Sequence, residues 1–432
     1  MLDIKFIKNN IELVRKTISN KNSSVNLDLL LDLDLRRRSL LSQIESLQSR
    51  KNELAREIAK SKGESSLIEE GKKIRLEIDT LETDFRQIDI DFNAIMSQVP
   101  NIPSEDTPIG KDDSENVVLR KVGETTKFDF EPKEHWQLGA DSNLIDTETA
   151  SNISGPRFAY IKNGLVHLQF ALTSWAMSIV CDEDKIAEII SKNNLNISNK
   201  AFSPILPPTM IKPEIFARMA RLEPRDERYH IPSDDLYLIG SAEHTLGPIH
   251  VDQILQEADL PIRYVGYSTS YRREAGAAGK DTRGILRLHQ FDKLEMESFC
   301  LPEESINEQN LLVAIQEYIL SQLKIPYQVV ICCTGDMGDP DARHIDIECW
   351  MPGQNKYRET HSADLMTDYQ SRRLDTRVKR PDGNEFVHMN DATLMAFGRI
   401  MIAIMENYQT ADGKISIPDV VKPFMPIKLD QI

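Results

Sequence analysis

Two runs of apolar residues on a 3.5-residue repeat constrain this chain more than any other feature. Leu40, Ile44, Leu47, Lys51, Leu54 and Ile58 alternate by four and three, with Lys51 the only polar member. Ile74, Ile78, Leu81, Phe85, Ile88, Phe92 and Ile95 keep the same spacing without exception. Such repeats gather each run into one stripe along a helix, and two facing stripes make a coiled coil. Lys62-Gly63-Glu64-Ser65-Ser66 supplies a polar, glycine-containing break between them. The pattern predicts an antiparallel helical hairpin. A first helix starting near Asn26 runs about 35 residues, on the order of 50 Å at 1.5 Å per residue. Val99-Pro100-Asn101-Ile102-Pro103 ends the second, because proline cannot continue a helix.

The remaining length needs its own core. The chain has 432 residues, enough for two or three domains, with the ordinary soluble balance of 40% hydrophobic and 28% charged residues. No apolar run reaches the roughly 18 residues that span a bilayer, and the opening MLDIKFIKNN lacks the apolar stretch of a secretory signal. Cys181, Cys300, Cys332, Cys333 and Cys349 form no CxxC pair and no zinc-ligand spacing. A cytoplasmic chain with reduced, buried thiols and no membrane partner is expected. The net charge of −16 argues against a nucleic-acid partner only if charge is evenly spread. It is not: Arg36 to Arg75 holds eleven Lys or Arg against six Glu, and eight of the eleven lie from Arg50 onward. A basic tip suits a phosphate backbone, and a solvated coiled-coil face explains the same residues equally well. Arg50, Lys51, Arg56 and Lys60 are the candidate RNA contacts; nothing points to DNA.

From about Gly110 the pattern turns to short alternating strands, turns and moderate helices. We expect an arm over 1–108 and an α+β catalytic body over 109–432 with a mainly antiparallel sheet flanked by helices. Within it, Ser268-Thr269-Ser270-Tyr271-Arg272-Arg273-Glu274-Ala275-Gly276 and Ile285 to Glu297 flank a charged glycine-containing loop, a strand–loop–strand able to hold a nucleotide. Arg272 offers a planar fork of donors to phosphate. Glu274 can accept from a base amino group, Phe291 offers a stacking ring, and Arg287 can reach the terminal phosphates. The stretch from Asn390 to Gln409 repeats Leu394, Phe397, Met401, Ile404 and Tyr408 at helical spacing, interrupted by Gly398-Arg399. By itself that is an ordinary core helix.

The string YRREAGAAGKDTRGILRLHQFDKLE resembles the second signature motif of class II aminoacyl-tRNA synthetases in its seryl form. The segment around Arg399 is similar to the third motif, whose arginine meets ATP phosphate, and Pro208 to the proline of the first, which lies at a dimer interface. Leu238-Ile239-Gly240-Ser241-Ala242-Glu243 resembles the family's Thr-x-Glu loop, with serine for threonine. The resemblance implies a homodimer that joins L-serine to ATP and then to tRNA(Ser), with tRNA(Sec) a further acceptor. It implies catalysis by Arg272 and Arg399, and an ATP site of Arg272, Arg273, Glu274, Arg287, Phe291, Glu359, Thr360, His361, Ser362 and Arg399. It implies a serine site of Ser241, Ala242, Glu243, Arg272, Glu295 and Thr393. Glu359 and Ser362 match the Glu-x-x-Ser that holds Mg²⁺ between ATP phosphates, hard oxygen ligands suited to that ion. A pocket built to bond a hydroxyl rejects analogues lacking one, since its own polar groups are then left unpaired.

The chain also departs from the family pattern. Asp391-Ala392-Thr393 stands where Asn-Gly-Ser is usual, and His361-Ser362-Ala363-Asp364-Leu365 where Ser-Ser-Cys-Ser-Asn is common. Arg273 is larger than the residue usual within Arg-x-Glu. Two other readings are separable. A ligase loading a carrier protein would lack the arm, and a non-catalytic RNA-binding scaffold would be free to lose Arg272, Glu274, Glu295 and Arg399.

Overall fold

The computed structural model describes residues 1–60, 64–275 and 283–432. The chain forms two compact units, Met1–Pro100 and Asn101–Ile432. This boundary lies eight residues before the one expected at 108. The cause is Asn101, whose buried side-chain amide donates to the carbonyls of Pro340 and Met366 and ties the following segment to the second unit.

In the first unit, helix α1 (Leu27–Lys60) and helix α2 (Ser65–Met96) pack along the predicted stripes. Ile44, Leu54, Ile74, Ile78, Ile88 and Phe92 are buried, while Lys51 is exposed where it interrupts the repeat. Gly71 allows close approach there, since a Cβ on it would stand 3.3 Å from Leu54 Cδ2. Arg37 pairs with Asp89 at 2.5 Å across the hairpin. The expected turn at Lys62-Gly63 falls outside the described residues.

In the second unit an eight-stranded sheet is formed among the described residues. Its strands are β1 (Val117–Val122), β2 (Ser203–Ile205), β3 (Ile262–Tyr271), β4 (Gln290–Cys300), β5 (Tyr327–Ile331), β6 (Arg343–Met351), β7 (Lys356–Thr367) and β8 (His388–Ala396). They lie in the order β1-β5-β6-β7-β8-β4-β3-β2, antiparallel except for the β2–β3 pair. Leu294 and Met296 of β4, Ala363 of β7 and Ala392 of β8 face one large apolar core with helices α3 (Gly164–Val180), α4 (Ser305–Gln322) and α5 (Phe397–Asn407). Helix α4 is tied to the sheet by polar side chains as well. Arg263 and Glu308, both with side chains fully buried, pair at 2.5 Å. Gln316 donates at 2.8 Å to the carbonyls of both Ser362 and Thr393.

The segment 390–409 is not one helix. Asn390–Ala396 belongs to strand β8, and the helix starts only at Phe397. Met389 to Met395 are all buried, so both faces of this central strand are covered, and its alternation is confined to Asp391-Ala392-Thr393-Leu394.

Candidate active site

Strands β3 and β4 pair residue for residue from Tyr271↔Gln290 to Ile262↔Phe299, so the hairpin is the strand–loop–strand that the sequence predicts. Residues 276–282 of its loop fall outside the described set. On the return arm, Gly284 has φ +68° and would bring a Cβ within 2.0 Å of His135 Nε2, so only glycine fits. His135 in turn accepts from the Ile285 amide at 3.2 Å and sits against Glu406 at 3.2 Å. This fixes where the arm re-enters the sheet.

A cleft of about 650 Å³ opens over these strands, lined by Arg272, Glu274, Arg287, Phe291, Glu359, Thr360, Ser362, Thr393 and Arg399. Lys293, Gly398 and Ile285 also stand in its wall. Arg272 lies 5.4 Å from the Phe291 ring centroid and donates through Nε to the Gly240 carbonyl at 3.1 Å. Arg287 pairs with Glu274 at 2.6 Å, and Arg399 with Glu359 at 2.6 Å. Although burial opposes it, the Arg399 guanidinium holds the Glu359 carboxyl below its ordinary value. Two ion pairs thus face a shared space, each with a cation able to turn to an incoming phosphate.

Below the cleft the residues stand in rows across the sheet. Glu295 of β4 is registered with Thr393 of β8, whose hydroxyl lies 3.2 Å from that of Ser362 on β7. A bulge at Leu394 between Leu294↔Met395 and Glu295↔Thr393 brings the two into line. Lys293 Nζ contacts the Glu295 carboxylate and donates to Ser241 Oγ at 3.2 Å. An ammonium is therefore held between two of the residues that the resemblance assigns to the serine site. Burial, above all, pushes the Glu295 carboxyl up to about 7, with Glu243 adding to the effect.

One step deeper, Glu297, Asp391 and Asp364 form a second row on β4, β8 and β7. Arg221 stands over them, 3.0 Å from Glu243, 3.6 Å from Asp364 and 3.8 Å from Asp391. Burial works against Glu243, yet Arg221 holds it well below its ordinary value. Burial and the neighbouring carboxylates push Asp391 and Glu297 well above theirs.

Of the predicted residues, Ser241, Glu243 and Glu295 lie below the cleft rather than in its wall, and three others do not reach it. The His361 ring is buried beside Thr360, Nδ1 lying 2.8 Å from that hydroxyl, and burial lowers its value to about 3, so it is a neutral interior histidine. Arg273 turns to the Tyr229 ring, 6.0 Å from its centroid. Ala242 is fully buried and lies 3.2 Å from where a Cβ on Gly266 would stand, so it packs the loop onto β3. In the arm, Lys51, Arg56 and Lys60 are exposed, whereas Arg50 meets Glu70 at 3.0 Å and Glu57 at 3.3 Å. The cysteine expectation fails at Cys181 alone, which is exposed. Pro208 is exposed, and its carbonyl accepts from Thr245 Oγ1 at 3.1 Å.

Sequence reasoning missed Arg221, Lys293, Gln316 and Glu297. For Lys293 and Glu297 a signal existed: with Phe291 and Glu295 they repeat at every second residue of one strand, so all four share a face. Arg221 and Gln316 lie on other elements and carry no such mark.

Residues 1–103 match the seryl-tRNA synthetase N-terminal domain, and residues 228–408 the tRNA synthetase class II core domain (G, H, P, S and T). A serine–tRNA ligase of Treponema denticola is 38% identical over 433 residues, covering 98% of each chain. The chain belongs to the serine–tRNA ligase family. A second such ligase, from Coprothermobacter proteolyticus, is also 38% identical, over 98% of this chain and all of its own. The crystal structure of seryl-tRNA synthetase from Pyrococcus horikoshii complexed with ATP superposes with a TM-score of 0.89 at 34% identity, covering 100% of this chain and 99% of that one. The family's reaction, ATP-dependent ligation of serine to tRNA, is accordingly this chain's activity. A structure of A. aeolicus tRNASec in complex with M. kandleri SerRS is 13% identical with a TM-score of 0.57, covering 81% of this chain and 68% of that one, and shares the fold. Among the described residues no single helix is long and apolar enough to cross a membrane.

Proposed function

We propose that the cleft over β3 and β4 forms seryl-adenylate, and that the unit Met1–Pro100 grips the acceptor, tRNA(Ser) and also tRNA(Sec). One observation carries the reading: two Arg–carboxylate pairs line the same 650 Å³ space as Phe291, Ser362 and Thr393, above Glu295. Phe291 takes the adenine face, with Glu274 accepting from its amino group. Arg272 binds the serine carboxylate and the α-phosphate, while Arg287 and Arg399 meet the outer phosphates. Serine places its ammonium between Ser241, Glu243 and Glu295, displacing Lys293 Nζ. Its hydroxyl goes to Thr393.

The serine carboxylate then attacks the α-phosphorus and pyrophosphate leaves; the terminal ribose hydroxyl of the tRNA afterwards takes the seryl group from AMP. Positioning and charge neutralisation supply the acceleration, since the protein makes no covalent bond. Glu359 and Ser362 present hard oxygen donors to the cleft, which fits Mg²⁺, and the ion would neutralise phosphate charge there. Shape and backbone contacts along the arm suit structured RNA, whose base edges are poorly accessible; exposed Lys51, Arg56 and Lys60 supply the charge, and Arg50 steadies the hairpin. Motif resemblance at Pro208 supports a homodimer, and four buried free thiols suit a cytoplasmic setting.

The test is exchange of labelled pyrophosphate into ATP across all twenty amino acids. Exchange with serine alone supports the assignment. Exchange with another amino acid would overturn the roles of Ser241, Glu295 and Thr393. No exchange at all would refute the cleft as the site of adenylate formation.

A further inference from the structure

Strands β5 and β6 carry a second constellation that the reaction does not use. The Cys332 amide donates to the His344 carbonyl at 3.0 Å, extending the ladder one step past Ile331↔Ile345 and setting Cys332 opposite His344. Asp346, two residues on, shares their face of the sheet. Cys332 Sγ lies 3.3 Å from Asp346 Oδ2, and His344 Nε2 lies 2.9 Å from Asp346 Oδ1. One ligand atom from each of the three lies within 4.8 Å of the others. Tetrahedral zinc, with bonds of about 2.0–2.3 Å, needs ligand atoms roughly 3.5 Å apart.

The surroundings are those of a metal-binding histidine. His344 Nδ1 contacts the Asp364 carboxylate, which fixes the ring and turns Nε2 toward Cys332 and Asp346. Behind the thiol, the Asn116 side-chain amide lies 3.7 Å from Sγ and is itself held by Asp336 at 2.8 Å. The side chains of His344 and Asp346 keep 20% and 15% of their exposure, so a path from solvent exists, while Cys332 is fully buried. Asp341, 3.9 Å from His344 Nδ1, adds a further buried carboxyl group nearby.

We propose that Cys332, His344 and Asp346 bind one divalent transition-metal ion of the Zn²⁺ type, with a water in the fourth position. One soft sulfur, one imidazole and one carboxylate select such an ion over Mg²⁺, which takes oxygen ligands alone. The site is therefore separate in its chemistry from Glu359 and Ser362, although Asp346 is the cross-strand partner of Ser362. Without the ion the three groups satisfy one another by hydrogen bonds, the thiol keeping its proton. The ion replaces that proton and clamps the end of β5 to β6, the strand next to the one carrying Ser362.

The experiment uses the full chain, stripped with a chelator, dialysed, and titrated with Zn²⁺ and separately with Co²⁺ while excess Mg²⁺ is present. One Zn²⁺ per chain is expected, with a near-ultraviolet sulfur-to-cobalt charge-transfer band for Co²⁺. Cys332→Ser should abolish the band and weaken Zn²⁺ binding at least tenfold. His344→Gln should weaken Zn²⁺ binding equally, and Cys181→Ser should change neither. Unfolding temperatures of the stripped variants, matched to the stripped parent, show that they fold; should Cys332→Ser not fold, His344→Gln decides alone. Substoichiometric binding, unchanged affinity in either variant, or a cobalt band lost with Cys181→Ser would overturn the site.

Discussion

Replacing Glu295 by glutamine separates substrate recognition from stability, because on the proposed assignment this carboxylate faces two ammonium groups in turn. It contacts Lys293 Nζ, both side chains being nearly fully buried. In the proposed reacting complex it would hold the ammonium of serine instead. Glutamine keeps the shape and one acceptor but loses the charge. A hydrogen bond to a charged group contributes about 1.5–3 kcal/mol, so kcat/KM for serine should fall about 10- to 100-fold, at roughly 1.4 kcal/mol per decade. The KM for ATP should be unchanged. Stability should fall as well, by about 3–5 kcal/mol, the usual cost of stranding one member of a buried ion pair. The assay is serine-dependent pyrophosphate exchange, with urea unfolding of the same samples. Adding Lys293→Met removes the stranded charge, so the double variant should regain most of the stability and none of the serine kcat/KM. Recovery of activity with stability would show that Glu295 matters only as the partner of Lys293. An equal rise in the KM for ATP would place it in the wrong subsite.

Other outcomes follow from the same geometry. Glu295 accepts an ammonium only when ionised, and burial raises its value to about 7. The kcat/KM for serine should therefore be level above that pH and fall about tenfold per unit below it in a pH–rate profile; a level profile down to pH 5 would count against the assignment. Arg399→Ala removes the cation beside Glu359 in the cleft; it should raise the KM for ATP and lower kcat, while serine binding measured without ATP stays the same. Leu54→Ala, at a 1% exposed seam position of the hairpin, should cost about 2–5 kcal/mol locally. Hydrogen exchange across α1 and α2 should speed up and tRNA charging should drop, with pyrophosphate exchange intact. Arg263→Met strands the Glu308 carboxylate and should destabilise the second unit by about 3–5 kcal/mol in urea, largely relieved by adding Glu308→Met.

The parts of this protein legible in its sequence are those whose physics is local. The coiled coil announces itself because each seam residue repeats the same demand, to stand on one stripe. The β3–β4 hairpin does so through one continuous run of charged and glycine residues. The sequence of strand β8 reads as helix for the converse reason. From Met389 to Met395 every residue is buried, and the period of two shows only over Asp391-Ala392-Thr393-Leu394, too short a run to outweigh the helical spacing from Leu394 onward. The interior rows lie further still from the sequence. Glu297, Asp391 and Asp364 come from three strands, and only the registers Glu297↔Asp391 and Asp364↔Asp391 make them neighbours. Asp391 and Asp364 were visible as departures from the family pattern, but a departure does not say what faces it. Arg221 answers that, 3.8 Å from Asp391 and 3.6 Å from Asp364. Its charge offsets carboxylates contributed by distant segments, so substituting any of these residues alone should disturb the others. The proposed serine subsite is therefore a coupled electrostatic unit, in which Asp391 and Thr393 do different work from adjacent same-face positions of one strand: Thr393 faces the cleft, and Asp391 faces the buried arginine.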